Sequence, residues 1–152
     1  MRIGPVGHAC IALALSIAAI GAAHAAQRTF VSGGGSDANV CSLTAPCRGF
    51  ARAMSETNPG GEIVVLDSAG YGAFTIDRSV SVIAPPGLYA GVSVFAPFAG
   101  ITVDAPGAKV ALRGLSISRQ GGSPGIWMLD GAEWHVGGCV VSVLVDGIVV
   151  EA

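Results

Sequence analysis

Gly100-Ile101-Thr102-Val103 returns as Gly125-Ile126-Trp127-Met128 and again as Gly147-Ile148-Val149-Val150, at offsets of 25 and 22 residues. Between these copies, Val110-Ala111-Leu112-Arg113-Gly114-Leu115-Ser116-Ile117 aligns with Trp134-His135-Val136-Gly137-Gly138-Cys139-Val140-Val141 at an offset of 24. Short β-prone runs joined by glycine turns, recurring with a period in the low twenties, mark a solenoid whose turns bury their apolar sides on one another. The last third of the chain therefore decides the fold.

The repeat also assigns faces, because side chains alternate along a strand. Ile101, Ile126 and Ile148 should point inward with Val103, Met128 and Val150. Val110 should stack on Trp134, Leu112 on Val136, Leu115 on Cys139 and Ile117 on Val141. Outward positions are Thr102, Trp127 and Val149 on one sheet, and Ala111 with His135 on another. Coils lie about 4.8 Å apart, so aligned residues touch. Lys109 against Glu133 is then an expected ion pair between coils.

Outward from the repeat, composition supports the same class. The 152 residues hold 23 glycines and only 12% charged side chains, which fits a turn-rich all-β protein and neither a helical bundle nor a disordered chain. Cys10 to Ala23 is almost unbroken apolar sequence, and Ala23-His24-Ala25 has the small-x-small pattern of a signal-peptidase site. Residues 1–25 read as a cleaved secretory signal, so the expected location is secreted or periplasmic, with no membrane association after cleavage. The signal inflates the mean hydropathy of +0.64. Without it, seven basic side chains face ten acidic ones, giving no electrostatic reason to expect nucleic acid as a partner.

Residues 26–61 read as an N-terminal strand, a cysteine loop and a capping helix, and residues 62–152 as the coils. Arg28 to Ser32 is the strand pattern, and Gly33 to Asn39 a surface turn, since no phosphate-loop lysine follows its glycines. Cys41 and Cys47 enclose five residues in a chain bound for an oxidising compartment, so a disulfide between them is the preferred reading. Zinc would need further ligands nearby. Phe50, Ala53, Met54 and Thr57 recur at helical spacing opposite Arg48, Arg52 and Glu56, which predicts a short helix within Pro46–Asn58, ended by Asn58-Pro59-Gly60-Gly61. Strands are expected at Glu62–Leu66, Phe74–Ile76, Val80–Ala84 and Val92–Ala96.

The succession Phe30-Val31-Ser32, Gly35-Ser36-Asp37-Ala38-Asn39, Ala45-Pro46-Cys47-Arg48, a short helix, then Asn58 to Leu66 and Gly70-Tyr71 resembles the N-terminal segment of secreted right-handed parallel β-helix proteins, the pectate-lyase-like superfamily. The resemblance spans essentially the whole chain after the signal. It implies a right-handed parallel β-helix with a short N-terminal capping α-helix. It also implies a polysaccharide partner, and calcium as the ion that acid-polysaccharide lyases of that family commonly use. From the residues themselves no cofactor is evident and no metal site is expected.

A lyase site needs a carboxylate-held cation and a Lys or Arg base, all outward on adjacent coils of one sheet. Asp104 and Glu151 fall at equivalent positions with Leu129 between them, and Arg113 is the best-placed base, opposite Gly137. A glycosidase needs two carboxylates about 5–10 Å apart, for which Asp104 with Asp130 is the pair to name. Catalytic candidates are therefore Asp104, Arg113 and Asp130. For binding, Trp127 is the candidate stacking platform, with Thr102 and His135 as further outward positions and Tyr71 and Tyr89 extending the surface from turns. The alternative for Trp127 is a side chain covered by the Arg119–Pro124 loop. Cys139 reads as a small inward hydrophobe and not a nucleophile.

Because the sequence stops within a strand-like run, truncation of a longer β-helix is the favoured expectation. End-to-end association through the last coil is the other. The expected function is polysaccharide binding, with a lyase or hydrolase, or a structural or adhesive surface protein, as alternatives.

Overall fold

The computed structural model describes residues 26–119, 124–142 and 146–151. The segment read as a secretory signal, Cys10 included, lies outside them, as does most of the Arg119–Pro124 loop. β1 (Ala26–Val31) precedes α1 (Phe50–Glu56). The chain then passes in rotation through three sheets: β2 (Thr57–Val65), β3 (Ala69–Gly70), β4 (Phe74–Ile76); β5 (Val80–Ile83), β6 (Ala90–Val94), β7 (Ile101–Asp104); β8 (Lys109–Arg113), β9 (Leu115–Arg119), β10 (Ile126–Asp130); β11 (Glu133–Gly137), β12 (Val140–Ser142), β13 (Ile148–Val150). The first sheet has the order β1-β2-β5-β8-β11, the second β3-β6-β9-β12 and the third β4-β7-β10-β13. All these ladders are parallel. The molecule is an all-β protein of three parallel sheets with one short helix, an arrangement compatible with a β-helix-like solenoid.

The register follows the sequence repeat. Ile126 pairs with Ile101 and Ile148, Trp127 with Thr102 and Val149, and Trp134, His135 and Val136 with Val110, Ala111 and Leu112. Inward rows form the core: Ile63, Val82 and Leu112 in the first sheet, Val92 and Ile117 in the second, Ile101 and Ile126 in the third. Each such side chain stabilises by roughly 1.5–3 kcal/mol when removed from water. The last coil differs: Val136, Ile148 and Val150 belong to inward rows yet are 37%, 46% and 54% exposed, because no further described coil lies on them. Trp134 packs partly buried against the core beneath. Lys109 Nζ meets Glu133 Oε2 at 2.8 Å as expected, and holds that carboxyl below the usual carboxylate range.

One strand is displaced from its expected position: the run read at Val92–Ala96 is β6, Ala90–Val94, and a turn at Phe95–Phe98 follows it. The helix is also shorter than its sequence pattern. Asp37 Oδ1 accepts the backbone N–H groups of Arg48 and Gly49, holding the lead-in outside the helix. At the far end Thr57 is extended, its hydroxyl bonded to Ala53 O and to Thr29 Oγ1. Asn58-Pro59-Gly60-Gly61 is part of β2 and is absorbed by a register shift between Ala26↔Thr57 and Arg28↔Glu62. α1 buries Phe50, Ala53 and Met54 over the start of the coils. The Cys41–Cys47 disulfide forms, and its loop hooks onto β1 through Phe30 N–H to Cys41 O and Cys47 N–H to Phe30 O.

Tyr71, expected at an exposed turn, is only 2% exposed. Its ring packs on Phe50, and its hydroxyl donates to Asp67, which also accepts Ser32 Oγ–H and Gly33 N–H. The Ser32 bond, followed by the Tyr71 and Gly33 bonds, holds the Asp67 carboxyl below its ordinary range. Burial, then the same Asp67 bond, pushes the Tyr71 phenol up. A carboxyl lowered by folding stabilises above its unfolded pKa of about 4, and that contribution is lost as pH falls through the folded value. A raised phenol stabilises below about pH 10 and loses its contribution as pH rises further. The thermal midpoint should therefore fall at both extremes. Asp67→Asn should cost about 1 kcal/mol at neutral pH and flatten the acid limb in a pH series of melts.

Candidate functional site

The three sheets present three outer faces, and the candidate residues are divided among them. On the third sheet Thr75, Thr102, Trp127 and Val149 form one outward row. Trp127 is half-buried, and its Nε1–H donates to Glu151 Oε1 at 3.1 Å. A register shift after Met128 places Asp130, and not Leu129, opposite Asp104. Counting along the repeat missed this because one inserted residue is invisible to an offset. Asp104 and Asp130 therefore stand together on adjacent coils.

Arg113 is elsewhere. It lies at the end of β8 in the first sheet, paired in register with Ile83 and Gly137. His135 shares that sheet, in the row Glu62, Ser81, Ala111, His135. A shallow depression of about 250 Å³ there is lined by Ser81, Lys109, Ala111, Arg113, Glu133 and His135. The base and the two carboxylates of a lyase thus stand on different sheets. Calcium takes about 6–8 oxygen ligands. Asp104 and Asp130 supply two carboxylates, and no group of three or more His, Cys, Asp or Glu converges among the described residues. These side chains do not fit the ion. Cys139 is partly buried, with its Sγ against Leu112 O and Gly137 O.

The second sheet carries a feature that the repeat does not announce. Along Tyr89-Ala90-Gly91-Val92-Ser93-Val94-Phe95, alternation turns Ala90, Val92 and Val94 inward and Tyr89, Gly91, Ser93 and Phe95 outward. The Tyr89 ring lies on Gly91, where an added Cβ would sit 2.7 Å from ring atoms. Phe95, and Phe98 in the turn closed by Phe98 N–H to Phe95 O, complete the far side. Tyr89, Phe95 and Phe98 are 50%, 64% and 73% exposed. Between the phenylalanines and the previous coil is a cavity of about 380 Å³, lined by Gly70, Gly72, Ala73, Ser93, Phe95, Phe98 and Ala99. Arg48 marks its rim, with Nη1 bonded to Gly70 O.

Of the aromatic residues singled out from sequence, Tyr89 thus joins a surface different from that of Trp127, and Tyr71 joins the core. Phe95 and Phe98 were missed. The alternation from Tyr89 to Phe95 was the available signal, had the strand been started three residues earlier. Comparison with protein-family models, with curated proteins and with solved structures returns no match.

Proposed function

We propose that this chain is an exported right-handed parallel β-helix, of the pectate-lyase-like kind, that binds a polysaccharide outside the cytoplasm. The handedness rests on the general rule for parallel crossovers. Export is supported by the signal-like N-terminus and by a disulfide, which persists in oxidising compartments. Among the described residues, no helix is long and apolar enough to cross a membrane.

One observation carries the binding reading: two exposed aromatic rings, Phe95 and Phe98, line a cavity floored by small residues, and a third exposed ring, Tyr89, lies over Gly91 at the other end of the same strand. Aromatic faces of this kind stack against the C–H faces of sugar rings while neighbouring hydroxyl and backbone groups reach the sugar hydroxyls. Thermal unfolding with a panel of polysaccharides tests it. A polymer that binds only the folded protein raises the midpoint, by about 2.7 kcal/mol of stability at a hundredfold excess over Kd. Phe98→Ala should remove that rise and Trp127→Ala should leave it. A midpoint that no polymer moves would end the carbohydrate reading.

A further inference from the structure

We infer that the corner between the first and second sheets is a separate binding site, for a small monoanionic carboxylate with an apolar body. The corner is uneven by construction. After β5 the chain takes residues 84–89 to reach β6, in a turn closed by Leu88 N–H to Pro85 O. One coil on, Gly114 alone joins β8 to β9, and on the next Gly138 and Cys139 join β11 to β12. Glycine keeps these two corners tight: Gly114 and Gly138 have φ +71° and +62°, and a Cβ at Gly114 would lie 2.6 Å from Ala84 O. Between the long connection and the short ones lies a cavity of about 610 Å³. Small-molecule sites run to about 300–1,000 Å³.

The lining selects the ligand. Pro85, Pro86, Leu88 and Val140 give apolar walls, and Ser116, the register partner of Val140, adds a hydroxyl. Arg113 is the one charged side chain among the described residues of the lining. Elsewhere Arg28 is engaged by Glu62, Arg52 by Glu56, Arg78 by Asp77, Lys109 by Glu133 and Arg48 by Gly70 O. Arg113 is exposed, and among the described residues its guanidinium has no partner. It also borders the depression of the first sheet, but the carboxylate there, Glu133, is held by Lys109. A free guanidinium beside apolar walls suits a planar carboxylate, which it binds through two parallel N–H···O bonds. One positive charge balances a monoanion, whereas a phosphate monoester would bring a second charge with no cation to meet it. The prolines, Leu88 and Val140 would cover an aryl or alkyl body but leave most hydroxyls of a sugar acid without partners.

Calorimetric titration of the protein with cinnamate, cyclohexanecarboxylate, cinnamamide and galacturonate tests the site. The two apolar acids should bind, less tightly as salt rises, and the neutral amide and the sugar acid should bind about tenfold or more weakly. Arg113→Gln should lose affinity for cinnamate by about tenfold or more. Gly137→Leu should lose as much, because a Cβ at Gly137 meets no atom within 4 Å and the added side chain takes up room in the cavity that Gly137 lines. Both melting midpoints should stay close to the parent, since neither change removes a contact within the protein. Equal affinity for cinnamate and its amide, or parental affinity in Arg113→Gln, would overturn the anion site. Galacturonate bound as tightly as cinnamate would overturn the apolar body, and no binding of either apolar acid at millimolar concentration would overturn the site altogether. The cavity shares no residue with that of Phe95 and Phe98, so this inference stands or falls apart from the polysaccharide reading.

Discussion

Phe50→Ala should lower the stability of the protein by about 4 kcal/mol, the largest loss expected of any single side chain here. Phe50 is fully buried, and its ring centroid lies 5.1 Å from that of Tyr71 and 4.9 Å from that of Phe74. Truncation removes the transfer energy of the ring and leaves a cavity beside the two remaining aromatic groups, Tyr71 and Phe74. The walls cannot close it: Tyr71 is tied to Asp67, and Phe74 N–H is bonded to Gly100 O on the next coil. Because Phe50 opens α1, loss of its anchor also loosens the only described helix from β1, β2 and β4. At roughly 4 °C per kcal/mol for a chain of this size, the midpoint should drop by about 15 °C. Chemical denaturation of Phe50→Ala beside Ala51→Ser, an exposed control on the same helix, measures it. Equal losses in both would show that helix propensity, and not the aromatic cluster, holds the cap.

How much of this was legible depends on whether a feature repeats. In a stacked fold, sequence period becomes register directly, so Ile101, Ile126 and Ile148 could be aligned by eye, as could Lys109 with Glu133. Cys41 and Cys47 were legible from compartment and proximity. Other features that occur once were not. Asp37 reaches eleven and twelve residues on to hold Arg48 and Gly49, and no helical periodicity encodes such a bond. The extra residue in β10 that moves Asp130 opposite Asp104 is equally silent. Tyr71 reads as a turn residue because a tyrosine after glycine looks exposed, whereas Phe50 and Asp67 draw its ring and hydroxyl inward. The exposed rings Tyr89, Phe95 and Phe98 belong to one coil only, so aligning coils against each other discards them. A site grafted onto a repeat is where the repeat is broken, and comparison between coils finds it only as mismatch.

The second large effect concerns the glycine that opens each copy of the repeat. Gly100→Ala should cost about 3 kcal/mol, at the upper end for overpacking a core. Its φ is not in the left-handed region, so backbone strain is not the reason. A Cβ at Gly100 would lie 2.5 Å from Val94 Cγ2 and 2.8 Å from Gly125 O. Both neighbours are fixed: Val94 is fully buried, and Gly125 O already accepts Ile101 N–H at 3.0 Å. The same contact recurs one coil on, where a Cβ at Gly125 would come within 2.9 Å of Gly147 O, which accepts Ile126 N–H. The glycines therefore form a column whose carbonyls are bonded by the preceding coil, and a methyl group can enter only by forcing two coils apart. Gly107→Ala is the contrasting variant. Gly107 has φ +69°, and a methyl group added there would meet no atom within 4 Å. It should lose only the strain of the left-handed conformation, about 1 kcal/mol. Denaturant unfolding of the pair separates close approach from backbone freedom. Similar small losses at both sites would mean that the repeat's glycine is kept for its conformational range, and that coil spacing tolerates a side chain there.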